Sequence, residues 1–207
     1  MPRPVKLSML ARERIEKSFT FAMPTTALVV ASAAPSYIKE EVVRLKQLWG
    51  ERIQICDGTA DNVEIQAAIA ALPAAGGKVV LSEGTFTLAA AISITGRLIL
   101  EGRGRYNTKI TQANSAGVNL IVNGAGAVVY EVQIKGMVLD GNKANNTVGK
   151  GIMGSGFQNL TLQDVRIESC CEEGLYGSGA APQSKSWWLY DVVVAACGEV
   201  GSVKDNI

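Results

Sequence analysis

The segment "LQDVRIESCCEEG", residues 162–174, returns at 189–201 as "LYDVVVAACGEVG", with Leu, Asp, Val, Cys, Glu and Gly kept at the same six places. The offset is 27 residues, from 162 to 189, and "IKGMVLDGN" at 134–142 fits the same frame 28 residues before 162. A period of about 20–30 residues built only of short strand-like runs and turns predicts a β-solenoid, because no single copy can bury its apolar face without neighbours stacked on it. Two Gly-rich stretches recur in the same way, "GIMGSG" at 151–156 and "GLYGSG" at 174–179. A recurring corner needs positive φ or room for the backbone stacked above it, and glycine supplies both. A phosphate cradle would need a preceding strand, a following helix and a Lys, none of which is present. "GRGRYN" at 102–107 and "GAGAVV" at 124–129 likewise lack the third glycine and the helix of a dinucleotide fingerprint.

The rest of the chain divides around this repeat. From Gly77 onward short β segments are bounded by Gly, Asn or Asp: "KVVLSEGTFTL", "RLILEG", "VVYEVQIKGMVLDGN", "NLTLQDVRIESC" and "WWLYDVVVAAC". Before them, "DNVEIQAAIAALP" reads as a helix, with Asp61 and Glu64 spaced as a capping box and Ile65, Ala68, Ile69 and Leu72 on one face. Further upstream, "ALVVAS" (27–32) and "RIQIC" (52–56) read as strands. Between them a helix runs from near Ser36 to Gly50, with Ile38, Val42, Leu45 and Trp49 as its apolar face. Residues 1–26 are an N-terminal arm, 27–56 a small strand–helix–strand element, and 57–207 the repeat-bearing β domain.

Composition removes several chemistries. The 207 residues carry 20 Lys and Arg against 19 Asp and Glu, so no net field favours nucleic acid. There is no His, which excludes Ser-His-Asp and Cys-His catalysis and imidazole metal sites. The four cysteines, Cys56, Cys170, Cys171 and Cys197, lack C-x-x-C spacing. Cys170 and Cys197 share one register and predict an inward ladder of small apolar groups, a disulfide between adjacent rungs being the alternative. No apolar run is long enough to span a membrane. The run Phe19–Ala31 has a small-residue end like a signal peptide, but Pro24 interrupts it and Glu13 and Glu16 precede it. Asn145 and Asn159 stand in N-x-T sequons.

With the frame set, "DGTADNVEIQAAIAALPAAGGKVVLSEGTFTL" (57–88) resembles the opening segment of the right-handed parallel β-helices of the pectate-lyase superfamily. There a short amphipathic helix covers the end of the coil, a Gly-rich turn follows, and a V-x-L-x-x-G-T-[FY] strand begins the first rung. "LDGN" and "FQNLTLQDVRIESC" also resemble its rungs. The resemblance implies an all-β solenoid: a right-handed, single-stranded parallel β-helix with an N-terminal capping helix, preceded by a small α/β element. It implies polysaccharide recognition, with lyase or hydrolase cleavage of acidic glycans, at an extracellular, virion or cell-surface location. The superfamily also contains non-catalytic members, so a structural or adhesive β-helix, such as a phage tail or cell-surface fibre component, is the alternative. The Gly-His-Gly segment of polygalacturonase-like members is absent, and no Arg-containing pectate-lyase signature is matched. The chain stops at "VGSVKDNI" without an obvious cap, which predicts a fragment, or a trimer or larger assembly through the arm or the last rung.

Candidate site residues follow from the offsets. If Val165 and Ile167 face the core, Asp164, Arg166 and Glu168 face out. The frame puts Asp164 over Gly136 and under Asp191, Arg166 between Val138 and Val193, and Glu168 beside Asp140. Stacked carboxylates raise one another's pKa or attract a cation, so Asp164, Glu168 and Asp140 are candidate acids or bases, with Arg166 stabilising negative charge. Asp164 and Asp191 are candidate ligands for Ca²⁺, the one cofactor the pattern invites. The competing reading is an ordinary solvated face, with Asp140 closing a turn. Trp187, Trp188 and Tyr190 lie on one strand: one Trp packs inward, while Trp188 and Tyr190 are candidates for a sugar-stacking platform.

Overall fold

The computed structural model describes residues 25–124, 128–177 and 185–198. Most of the expected arm, the last two residues of "GLYGSG" and the terminal "VGSVKDNI" lie outside them. The strands are β1 (Thr26–Val30), β2 (Ile53–Ile55), β3 (Gly77–Leu81), β4 (Gly84–Leu88), β5 (Ile92–Ile94), β6 (Leu98–Glu101), β7 (Thr108–Gln112), β8 (Ile121–Asn123), β9 (Val129–Asp140), β10 (Ile152–Gly154), β11 (Phe157–Glu168), β12 (Leu175–Gly177) and β13 (Lys185–Ala195). Two helices, α1 (Ser36–Trp49) and α2 (Asn62–Ala70), precede β3. The strands form a curled sheet of order β13-β11-β9-β6-β3-β1-β2, with β7 joined to β9 and β4, and a second sheet of order β12-β10-β8-β5. Every pairing is parallel.

The core is built from columns of aliphatic residues in register. Val79, Leu100, Ile134 and Leu162 form one column; Ile92, Ile121, Ile152 and Leu175 form another. All eight are buried. Each such side chain stabilises the fold by about 1.5–3 kcal/mol relative to leaving it in water. β-branched residues suit these positions because they pack on a pleated surface in the rotamers a strand already favours.

Inward positions do not alternate strictly. In β11 Leu160 and Leu162 are buried, and then Val165 and Ile167, so the phase slips by one residue at Asp164, whose φ is +52°. In β9 the slip falls at Gly136, φ +65°, between Ile134 and Met137. One left-handed residue inserted in a strand bends it and turns the following side chains onto a new face. A second set of left-handed residues, Glu131, Asn159 and Ser186, bends the same three strands nearer their starts.

The paired Gly-rich segments solve a different problem. β10 lies on β12 with Gly154 opposite Gly177, and neither has positive φ. A Cβ on Gly151 would stand 2.3 Å from the Gly174 carbonyl oxygen, and one on Gly154 2.5 Å from the Phe157 ring. Glycine is required there for space, against the stacked backbone at Gly151 and against aromatic rings at Gly154.

The two helices agree with the sequence in extent and differ in capping. α1 ends at Gly50, φ +59°, and lays Val42, with Ile38, Leu45 and Trp49, on Val30, Ala34 and Ile53. α2 buries Ile65 and Ala68 in the main core, with Ile69 and Leu72 against it. The expected capping box is not formed: Asp61 has helical φ and ψ and makes no cap hydrogen bond. Its carboxylate accepts instead from the Gly58 N–H (2.9 Å) and the Thr87 N–H (2.7 Å), tying the helix start to β4.

Candidate functional site

The site grows from the left-handed bend. Gly136, Asp164 and Asp191 occupy one corner column, as the flanking pairs Gln163↔Lys135, Val165↔Met137, Gln163↔Tyr190 and Val165↔Val192 require. All three have φ between +52° and +65°. Glycine takes this conformation freely and Asp tolerates it better than most residues. The carboxylates of Asp164 and Asp191 therefore project from a corner, and do not lie in a flat outward strip with Arg166 and Glu168.

The preceding layer has no such single-residue corner. Glu101 pairs with Lys135 and Lys109 with Val138, so seven residues of this layer stand where β9 uses two. The excess is the loop at 102–108, which contains "GRGRYN". It is seated on Gly136, whose carbonyl accepts from the Gly104 N–H (2.9 Å), while the Gly102 N–H donates to the Lys135 carbonyl (2.9 Å). From there Arg105 reaches along the stack. Its Nε donates to Asp164 Oδ1 at 2.7 Å, and its terminal nitrogen donates to the Asp191 carboxylate. The Arg105 side chain is only 12% exposed. The Asp164 hydrogen bond pushes its pKa above the ordinary guanidinium value against the opposing effect of burial, with Asp191 adding to it.

The second expected acidic pair is in register as anticipated, Glu168 opposite Asp140. Each is held by its own cation: Lys109 Nζ lies 2.5 Å from Asp140 Oδ2, and Arg166 Nε donates to Glu168. Asp140 also accepts from the Asn142 N–H at 2.8 Å, closing the "LDGN" turn. Arg166 pairs with Val138 and Val193 as the offsets require. Its pKa is raised, first by the Glu168 hydrogen bond. The structure thus brings Asp164 with Asp191 and Asp140 with Glu168, and inserts three cations among them. Arg105 was missed because it comes from 59 positions before Asp164. The signal was the length of the loop relative to the frame, not the residue type.

This donor set does not fit Ca²⁺. The ion needs six to eight oxygen ligands, whereas the two candidate carboxylates are engaged by a guanidinium, which offers only donors. Elsewhere among the described residues, Cys56 Sγ and carboxylate oxygens of Asp61 and Glu64 lie within 4.8 Å of one another. Burial pushes the Cys56 thiol up, and Asp61 adds to the shift. Asp61 there already accepts two backbone N–H groups, and the raised thiol favours its protonated form.

β13 presents the aromatic residues as two sets. Trp187 packs against the core and donates its indole N–H to the Phe157 carbonyl at 3.2 Å. Trp188 and Tyr190 point outward, 44% and 56% exposed. Behind Trp188 in register lie Thr161 and Gln133; behind Tyr190 lie Gln163 and Lys135. The result is a face of hydroxyl and amide side chains ending in two exposed rings.

Comparison with solved structures finds proteins that share this fold of curled, parallel strands. The A-module of mannuronan C-5 epimerase AlgE6 of Azotobacter vinelandii superposes with a TM-score of 0.57 at 22% identity, over 68% of this chain and 41% of that one. The AlgE4 A-module of the same organism gives 0.51 at 18%, over 68% and 47%. ORF18 of Geobacillus virus E2 gives 0.60 at 16%, over 94% and 40%. The chain therefore spans less than half the length of each neighbour, and at these identities the likeness is one of fold. No family model matches the chain, and no curated protein matches it.

Proposed function

We propose that this chain is a right-handed, single-stranded parallel β-helix, closed at its N-terminal end by α2, that binds a polysaccharide on the outward face of β9, β11 and β13. The observation that carries the reading is the pair Trp188 and Tyr190, exposed side by side at the end of a ladder of Gln133, Thr161, Gln163 and Lys135. An exposed ring offers an apolar plate for the C–H face of a sugar. The neighbouring amides and hydroxyls can exchange hydrogen bonds with sugar hydroxyls in both directions. Two structural neighbours are named for action on mannuronan, which supports a polysaccharide as the ligand class.

In this reading the corner is a brace. Arg105, Asp164 and Asp191 hold the loop at 102–108 against later layers, and Asp140 with Lys109 and Glu168 with Arg166 hold the adjoining face. The site is one of recognition, and neither a Ca²⁺ ion nor a general acid is assigned to it. The test is a panel of acidic and neutral polysaccharides, mannuronan included, scored by affinity electrophoresis with and without Ca²⁺. New reducing ends and the ultraviolet absorbance of unsaturated products are read in parallel. Retardation by at least one polymer, weakened about tenfold or more (~1.4 kcal/mol) in Trp188→Ala, without product and without Ca²⁺ dependence, is the expected outcome. Product formation lost in Asp164→Asn or Glu168→Gln would replace recognition by catalysis. The neighbour ORF18, matched over 94% of this chain, comes from a virus, which is compatible with a second reading as a non-catalytic structural component such as a phage fibre. Stable trimers that retard on no polymer would select it.

A further inference from the structure

We propose that Cys170 and Cys197 form a closable clasp between β11 and β13, oxidised to a disulfide by a small-molecule disulfide. The two residues are neighbours by register: Glu168 pairs with Ala195, the Ser169 N–H donates to the Ala195 carbonyl, and the Gly198 N–H donates to the Glu172 carbonyl. Ser169 and Ala196, just before the cysteines, share a left-handed φ of +51° and +54°. Their thiols adopt equivalent positions, each directed at the carbonyl two residues back, Cys170 Sγ to Glu168 at 3.6 Å and Cys197 Sγ to Ala195 at 3.5 Å. Cys170 is fully buried in the main core and Cys197 packs against it. Adjacent strands lie about 4.8 Å apart, inside the Cα separation of about 4.4–6.8 Å that a disulfide spans. Both thiols are free, as is their neighbour Cys171.

Accessibility orders the steps. Cys197 is partly exposed, while burial pushes the Cys170 thiol up and makes it the weaker attacker. The Cys197 sulfur, as thiolate, attacks one sulfur of the small disulfide, forming a mixed disulfide and expelling one thiolate. Cys170 then gives its proton to solvent, and its sulfur attacks Cys197 Sγ, expelling the second thiolate. Two protein thiols are oxidised and the small disulfide is reduced to two thiols. The bond closes a loop from 170 to 197. Among the described strands β13 pairs only with β11, so the clasp fastens the strand that carries Trp188, Tyr190 and Asp191. The chemistry stands independently of the glycan reading.

The test uses the full chain incubated with oxidised glutathione. Intact mass and peptide mapping should show loss of two hydrogens and a Cys170–Cys197 cross-link, with a midpoint of thermal unfolding raised by about 5 °C. Cys171→Ser and Cys56→Ser should keep both effects. Cys170→Ala should stop at a glutathione adduct on Cys197, and its own midpoint should show no rise on oxidation. If that variant fails to fold, differential alkylation of the unaltered chain before and after oxidation reports the same pairing. A cross-link through Cys171 or Cys56, intermolecular dimers alone, or four alkylatable thiols after prolonged oxidation would overturn the clasp.

Discussion

Residues 162–170 and 189–197 are repeats with the same left-handed bends in the backbone, yet they live in different surroundings. Leu162 and Ile167 are fully buried, while Leu189 and Val194, their register partners, are 43% and 46% exposed. Both copies bend at Asp, with Asp164 and Asp191 each at φ +52°. Local sequence therefore determines the path of the chain, and the layer above determines what a side chain is worth. β11 has β9 on one side and β13 on the other; β13 has β11 alone among the described strands.

The largest effect should separate the two copies by truncation. Leu162→Ala removes a buried side chain walled on both sides and should cost about 3 kcal/mol. Leu189→Ala removes one already in contact with solvent and should cost about 1 kcal/mol or less. Urea midpoints at constant slope measure the difference. Equal losses would mean that β13 is covered in solution as completely as β11, and would abolish the contrast.

Much of this arrangement was legible in the sequence, because offsets of 27 and 28 are arithmetic. They placed Arg166 between Val138 and Val193 and Glu168 beside Asp140, as found. The bend is legible too, since Leu162 and Val165 are three apart, which strict alternation cannot bury together. Asp61 and Glu64 had the spacing of a capping box, but a spacing cannot show that Thr87 offers Asp61 a better-placed N–H. Arg105 was illegible for a related reason. Its partners are supplied by tertiary structure, across layers that no local pattern connects.

The corner offers the next test, since β9 turns on glycine where β11 and β13 turn on Asp. Gly136→Ala places a methyl at φ +65° and 3.1 Å from the Gly102 carbonyl oxygen. It should cost about 1–2 kcal/mol. It should also shift the loop at 102–108 and so weaken the Arg105 contacts, which hydrogen exchange across that loop would detect. Wild-type stability and exchange in this variant would show that the loop is not seated on Gly136.

Arg105→Ala probes the same corner by charge. Without the guanidinium, Asp164 and Asp191 become a stacked pair of like charges, so the variant should melt a few degrees lower, with the deficit shrinking as salt screens the repulsion. Ca²⁺ should then raise the melting midpoint of Arg105→Ala while leaving the unaltered protein unmoved. A Ca²⁺ shift of equal size in both would return the ion to the intact corner.

The smallest effect concerns the column that passes from Glu101 through Lys135 and Gln163 to Tyr190, changing from charged to aromatic as it approaches the exposed copy. Lys78 Nζ lies 2.8 Å and Lys135 Nζ 3.3 Å from Glu101 Oε2. The Lys78 ammonium, more than that of Lys135, holds the Glu101 carboxyl below its ordinary range despite partial burial. A depressed folded pKa contributes stability that is present above the unfolded value and is lost as pH falls through the folded one. Glu101→Gln should therefore cost about 0.5 kcal/mol at neutral pH, and the difference from the unaltered protein should vanish in acid. A deficit that persisted below the carboxylate range would assign Glu101 a packing role, and the column would then be held by shape at both of its ends.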